Sequence, residues 1–122
     1  MSVFNDEELA YLAEGKLGRL ATVDAHGMPH VVPLGWSYNS ELDTIDIGGR
    51  DFARSKKFRN VRHNRNVAIV VDDVLPPWRP RGVLIRGRGE ALDDAQRPDG
   101  EPNGPIIRLT PTEVISWGLG GD

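Results

Sequence analysis

Fourteen glycines and nine prolines punctuate a chain of 122 residues, so a regular element is expected to meet before long a residue that bends or ends it. That spacing predicts many short elements joined by tight turns, an all-β habit rather than a helical bundle. The length suits one domain over 1–122 with one core. A barrel of this size has little core to spare, so oligomerisation would help it.

Asn5 predicts a helix start, with Glu8 in capping-box position, Leu9 and Leu12 on one face and Gly15 to end it. Its expected job is to plug one end of a barrel. Residues 18–23 read as a strand and 24–27 as a turn, with Gly27 free to take positive φ. Residues 28–38 read as a second, longer strand interrupted by Pro33 and Gly35. With Pro29 and Pro33 it cannot be fully paired through its N–H groups, so either it is an edge or its backbone serves something else. Residues 42–48 suit a third strand. Residues 52–64 look helical, with Phe52, Lys56, Arg59 and His63 on one stripe and Phe58, Val61 and Arg65 on another. Residues 67–71 suggest a short strand buried on both faces, and 74–80 a proline-stiffened loop. Residues 82–92 give the longest strand, with Val83, Ile85, Gly87 and Gly89 facing one way and Leu84, Arg86, Arg88 and Glu90 the other. Residues 93–105 read as a polar loop, and 106–109 with 113–117 as a last strand pair split by Pro111. The sum is a mainly β protein of six or seven strands and two short helices, with no internal repeat and no linker.

Several chemistries are excluded. The chain has no cysteine, which removes disulfides, thiolate nucleophiles and cysteine metal sites and fits a reducing cytoplasm. It has no apolar run near the ~20 residues that span a bilayer and no signal-like start, so the expected place is cytoplasmic and off the membrane. His26, His30 and His63 form no metal pattern. The Gly87-Arg88-Gly89 piece lies inside a strand pattern, out of context for a dinucleotide fold. The net charge of −3 hides an asymmetry: residues 50–88 carry +8 and the remainder −11. An acidic protein with one basic region points to a local anionic partner rather than to coating nucleic acid.

Three segments are candidates for binding. Arg54, Ser55, Lys56 and Lys57 offer a guanidinium fork, a hydroxyl and two point charges where a loop enters a helix, a setting that suits phosphate oxygens. The same run also reads as a solvated basic face. The Pro- and Gly-rich strand 29–36 either presents backbone to a planar heterocycle or marks a barrel corner. Trp78, in its stiff loop, and Trp117 either stack on a ring or an interface, or belong to the core.

Taken in order, G-R-L-A-T-V (18–23), G-M-P-H-V-V-P-L-G-W (27–36), A-R-S-K-K-F-R-N-V (53–61), V-A-I-V-V-D-D-V (67–74), P-P-W-R-P-R-G-V (76–83), I-R-L-T-P (107–111) and S-W-G-L (116–119) resemble the pyridoxamine 5′-phosphate oxidase-like split-barrel flavin/deazaflavin oxidoreductases. The resemblance implies an FMN-binding type of split β-barrel and a homodimer with cofactor clefts at the subunit interface. It places the backbone of Val31, Val32, Pro33, Leu34 and Gly35 near the ring and Arg54, Ser55, Lys56 and Lys57 at the phosphate. Trp78 and Arg79 would then reach in from the partner. The R-S-K-K and P-P-W-R forms look most like the branch using coenzyme F-420, a deazaflavin with a phosphate and a poly-glutamate tail, with FMN as the alternative. The expected activity is hydride transfer to a small unsaturated organic substrate, and a carrier without turnover is the alternative. True pyridoxamine phosphate oxidases run longer, so the resemblance does not extend to vitamin B6 oxidation. The resemblance implies that the coenzyme bears the chemistry. No side chain is expected as an obligatory catalyst, and His30 and Tyr38 are the candidate proton donors.

Overall fold

The computed structural model describes residues 1–98 and 100–120. In chain order the elements are α1 (Asp6–Leu12), β1 (Gly18–Val23), β2 (Pro29–Leu34), β3 (Ser37–Asn39), β4 (Thr44–Gly48), a 3-10 turn (Phe52–Arg54), α2 (Lys56–His63), β5 (Asn66–Leu75), β6 (Arg79–Ala95) and β7 (Gly104–Trp117). The strands form one antiparallel sheet in the order β2-β1-β5-β6-β7-β4-β3. β2 and β3 stand at opposite ends of that order, yet only Gly35 and Trp36 separate them in the chain. Three residue steps reach at most about 11 Å. The sheet is therefore rolled until its edges nearly meet, which makes it a split barrel.

Alternation builds the core. Along β6, Val83, Ile85, Gly87 and Gly89 are buried while Arg86, Arg88 and Glu90 are exposed, the faces expected from period two. Leu20, Ile45, Ile69, Ile107 and Leu109 complete the interior, which Phe58 and Val61 of α2 and Tyr11 and Leu12 of α1 close. The α1 capping box forms as its spacing predicts, with the Asn5 side chain accepting from the Glu8 amide and Glu8 accepting from the Asn5 amide. Glu8 also accepts from Ser116 at 2.7 Å, which ties α1 to β7.

Several expectations are corrected. The strand over 28–38 is two strands, because the chain crosses from one sheet edge to the other at Gly35 and Trp36. β4 begins at Thr44, since Asp43 adopts a positive φ of 59° and Leu42 lies in the turn. The helix over 52–64 breaks at Ser55, which is extended at ψ 150°, so Phe52 leaves the stripe assigned to it. β5 alternates rather than burying both faces: Ala68 and Val70 are half-buried between buried Val67, Ile69 and Val71. The loop over 74–80 is a hairpin in which only Pro76, Pro77 and Trp78 turn. The polar loop over 93–105 shrinks because β6 runs to Ala95 and β7 starts at Gly104; its Asp99, with Gly121 and Asp122, lies outside the described residues. Pro111 does not split β7. It sits at a bulge where Gly87 faces Pro111 and Arg86 faces Glu113, leaving Thr112 as the extra residue. Only glycine fits opposite, because a Cβ on Gly87 would stand 2.1 Å from the Thr110 carbonyl oxygen.

Candidate functional site

The start of α2 carries the basic run. Ser55 is its N-cap: the hydroxyl accepts from the Phe58 amide at 3.3 Å and donates to the Phe52 carbonyl at 2.6 Å. That leaves the Lys56 and Lys57 amides without an intrahelical acceptor, at the positive end of the helix dipole. Arg54 and Lys56 are exposed. Lys57 is half-buried with its ammonium 5.0 Å from the centre of the Phe52 ring, and burial lowers its pKa from the ordinary lysine value. Among the described residues no ion pair engages Arg54, Lys56 or Lys57, nor Arg50, Arg59, Arg65, Arg79 or Arg88, whereas Lys16, Arg19, Arg62, Arg81, Arg86 and Arg108 have carboxylate partners; what marks Arg54, Lys56 and Lys57 is their clustering at a helix start.

What aims this helix start is a pair that sequence reasoning missed. Asn60 and Thr22 are both buried, and the Asn60 amide donates to the Thr22 hydroxyl at 3.0 Å. The bond fixes α2 on β1. A polar residue between Phe58 and Val61 on the inward face was its only signal in the sequence. At the turn after β1, the Asp24 carboxyl accepts from the Met28 and His26 amides. Those bonds chiefly hold its pKa below the usual carboxylate range, with a weaker contribution from nearby Lys56.

β2 is an edge strand paired only with β1, and His30 faces across that ladder the Thr22 to which Asn60 of α2 donates. His30, Val32 and Leu34 are half-buried; Pro29, Val31 and Pro33 are exposed, Val31 by 61%. An edge strand leaves every second backbone unit open. Proline is tolerated on that open side because it has no N–H to leave unpaired, and Val31 shares the parity of Pro29 and Pro33. A Cβ on Gly35 would meet nothing within 4 Å. β1 thus stands between the two segments: it pairs with the strand that carries residues 31–34 and packs against α2, with Val31 opposite Ala21 and Leu34 opposite Gly18.

Trp78 and Arg79 do not join them. β1 runs antiparallel to β5, with Ala21 opposite Ala68 and Gly18 opposite Val71, so the Lys56 end of the barrel is level with the start of β5. The hairpin tip lies beyond Leu75, nine steps along that strand, a distance of about 30 Å at ~3.3 Å per residue. Trp78 is 74% exposed there. The base of the hairpin is tied down instead: Asp73 accepts from Tyr11 at 2.7 Å and from Arg81 at 2.8 and 3.1 Å, with Lys16 at 3.3 Å and Glu14 beside Arg81 at 3.1 Å. The Arg81 and Tyr11 bonds hold the Asp73 carboxyl far below its usual range, and burial, with the Asp73 bond, pushes the Tyr11 hydroxyl above its own.

Tyr38 is separated from His30 by the crossing and lies on β3. Its hydroxyl donates to Asp43 at 2.6 Å, the main cause of its raised pKa, and its ring meets Phe4 edge-on at 5.7 Å. Trp117 is not a core residue: it packs over Gly82, where a Cβ would stand 2.6 Å from its ring, and stays 37% exposed. Among the described residues no group of three His, Asp or Glu side chains is placed to hold a metal, and no helix is long and apolar enough to cross a membrane.

A model of the pyridoxamine 5′-phosphate oxidase family matches residues 4–118. A 5a,11a-dehydrotetracycline/5a,11a-dehydrooxytetracycline reductase of Streptomyces rimosus is 45% identical over 123 residues, covering 98% of this chain and 86% of the relative. Among solved structures, the conserved hypothetical protein Rv2991 of Mycobacterium tuberculosis superposes with a TM-score of 0.74 at 20% identity, over 96% of this chain and 86% of the other. An FAD-binding protein of Mycobacterium smegmatis does so with a TM-score of 0.70 at 20% identity, over 95% and 96%.

Proposed function

Since the chain belongs to the pyridoxamine 5′-phosphate oxidase family, we propose that it is a coenzyme F-420 (deazaflavin)-dependent oxidoreductase that passes a hydride to a small unsaturated organic substrate. The relative's name supports the reaction class, since a dehydro compound carries the double bond that its reductase removes. The observation that carries the coenzyme reading is the cluster of cations without ion-pair partners at Arg54, Lys56 and Lys57, at the start of a helix packed on β1, whose other neighbour β2 has an open edge. Charge-assisted hydrogen bonds are the strong ones, and a phosphate with a multiply anionic tail accepts more of them than FMN's single phosphate. The donor set therefore fits the deazaflavin, and fits FMN with cations to spare.

When bound, the deazaflavin supplies a hydride from its central ring. The work of this chain is to bind, orient and exclude water. The amides and side chains at the start of α2 would hold the phosphate, and the open edge of Val31–Gly35 would offer N–H and C=O groups to the ring. Tyr38 is committed to Asp43 and His30 is half-buried on β2, so the proton for the product comes from solvent.

The same reading includes a homodimer, in which the partner's hairpin supplies the Trp78 and Arg79 that this chain holds far from its own basic run. The outer face of the sheet supports it: Val70, Leu84 and Ile115 lie opposite one another across β5, β6 and β7, an apolar row away from the core, with Ile115 41% exposed. Sedimentation at micromolar concentration is expected to give a dimer, and a monomer there rules out the shared site.

Calorimetric titration with each coenzyme tests the assignment. The deazaflavin is expected to bind more tightly than FMN, and equal or tighter FMN binding overturns it in favour of an FMN oxidoreductase. Binding without reduction of any quinone, tetrapyrrole or nitroaromatic acceptor makes the protein a carrier.

A further inference from the structure

A cleft of about 430 Å³ opens between α1 and the crossing from β2 to β3, lined by Leu9, Leu12 and Ala13 on one side and by Trp36 and Tyr38 on the other. Its walls are fixed. The Trp36 indole donates to the Lys16 carbonyl at 2.8 Å and packs on Gly18, where a Cβ would stand 2.8 Å from the ring, so the glycine that opens β1 is what seats this tryptophan. Tyr38 is held by Asp43 and Phe4. Opposite them, α1 is locked by its capping box and by Ser116.

A cleft whose walls are tied from behind does not collapse when empty, and preformed apolar clefts of a few hundred Å³ are the usual form of small-molecule sites. None of its lining side chains is ionisable except the Tyr38 phenol, which already donates to Asp43. An anionic occupant finds no partner here, whereas two immobilised aromatic rings favour a flat apolar one. The cleft also begins at Trp36, the residue after Gly35, where the open strand edge ends and a Cβ would meet nothing within 4 Å.

We infer that this cleft is the acceptor-substrate site and that it takes an uncharged, flat, predominantly apolar ring system, with Trp36 as the wall that positions it. The inference rests on the hydride-transfer reading for the role of the occupant. The chemistry of the occupant follows from the cleft alone. It also makes Gly18 a specificity-determining position, since any side chain there displaces the Trp36 ring.

The test uses the ¹⁵N-labelled full chain and menadione, an uncharged two-ring quinone, with no coenzyme present. The expected result is saturable movement of the Trp36 indole N–H signal, assigned with Trp36→Phe, together with the backbone amides of residues 9–15. Ala13→Trp places a ring in the cleft from the exposed end of α1, and Ala13→Leu is the smaller version should the first fail to fold. Either is expected to weaken menadione at least tenfold while leaving coenzyme affinity within twofold. Three results overturn the inference: no movement up to the solubility limit, movement elsewhere only, or binding indifferent to both Ala13 variants. A fourth, read in a separate competition run after the titration, is the deazaflavin displacing menadione from these signals, which would make the cleft part of the coenzyme site. Because the titration contains no coenzyme, a failure of deazaflavin binding leaves its outcome intact, and the two readings fall separately.

Discussion

Arg81 and Lys57 sit at opposite ends of the barrel and in opposite electrostatic circumstances. At the base of the β5–β6 hairpin each charge is answered: Asp73 is held by Tyr11, Arg81 and Lys16, and Arg81 in turn by Glu14. At the start of α2, Arg54, Lys56 and Lys57 have no carboxylate within ion-pair reach among the described residues. The first cluster gains from its own pairing and serves to position the hairpin that carries Trp78. The second has only the weak attraction between Lys56 and Asp24 to offset the repulsion among its members, and gains most when an anion arrives. Similar residue types therefore give a strut in one place and, on the proposed function, a receptor in the other, and what separates them is whether the fold brings acids alongside.

The largest expected effect comes from removing the receptor. Arg54→Ala, Lys56→Ala and Lys57→Ala together are expected to weaken coenzyme binding by at least ~100-fold, because a hydrogen bond to a charged group is worth ~1.5–3 kcal/mol and more than one is lost. The melting temperature is expected to hold or rise slightly. Calorimetry showing unchanged affinity makes the run a solvated face after all. Lys57→Ala alone is expected to cost about tenfold, one decade per ~1.4 kcal/mol, since its half-buried ammonium is the one already partly stripped of water.

Asp73→Asn breaks the strut, and its signature is pH. The Asp73 pKa is depressed in the folded protein. Its contribution is therefore present above the unfolded carboxylate value of about 3.9 and is lost as pH falls through the lower folded value. The variant is expected to be less stable than the parent at neutral pH, with the gap closing as the solution is acidified below about pH 4. Urea midpoints that differ by a constant amount from neutral to acid pH would contradict this. Raising the ionic strength sharpens the contrast further: coenzyme affinity is expected to fall, while the melting temperature moves little. The smallest effects are expected at the two candidate proton donors. His30→Ala and Tyr38→Phe should each slow single-turnover hydride transfer by less than the 10²–10⁴-fold typical of losing a general acid. A loss in that range with coenzyme binding intact would show a dedicated donor.

Where local chemistry decided the outcome, the sequence was readable. The Asn5–Glu8 box, the Gly27 turn and the alternation of β6 each depend on neighbours within a few residues, and each appears where the spacing put it. The errors share one cause. Pro111 is a breaker only until a bulge with Gly87 accommodates it, and residues 28–38 read as one strand only until the sheet's two edges claim different halves. Ser55 breaks the helix by capping its second half with its own hydroxyl, which the apolar periodicity on either side does not reveal.

The candidate site divides in the same way. The residue types suited to an anion, their clustering in one basic segment and the bare strand of residues 29–36 are properties of the sequence, because composition and order are all they require. Which of those cations remain unpaired, how Asn60 and Thr22 fix the helix on β1, and that Trp78 and Arg79 stand at the far end of the barrel were decided only by tertiary structure. Ion pairing and distance depend on residues such as Asp73 and Arg81, or Thr22 and Asn60, that are brought together from well-separated parts of the chain, and local pattern holds no record of those meetings. The cleft beneath α1 belongs to this second kind, since its walls come from α1 and from the crossing at Trp36 and face each other only in the folded barrel.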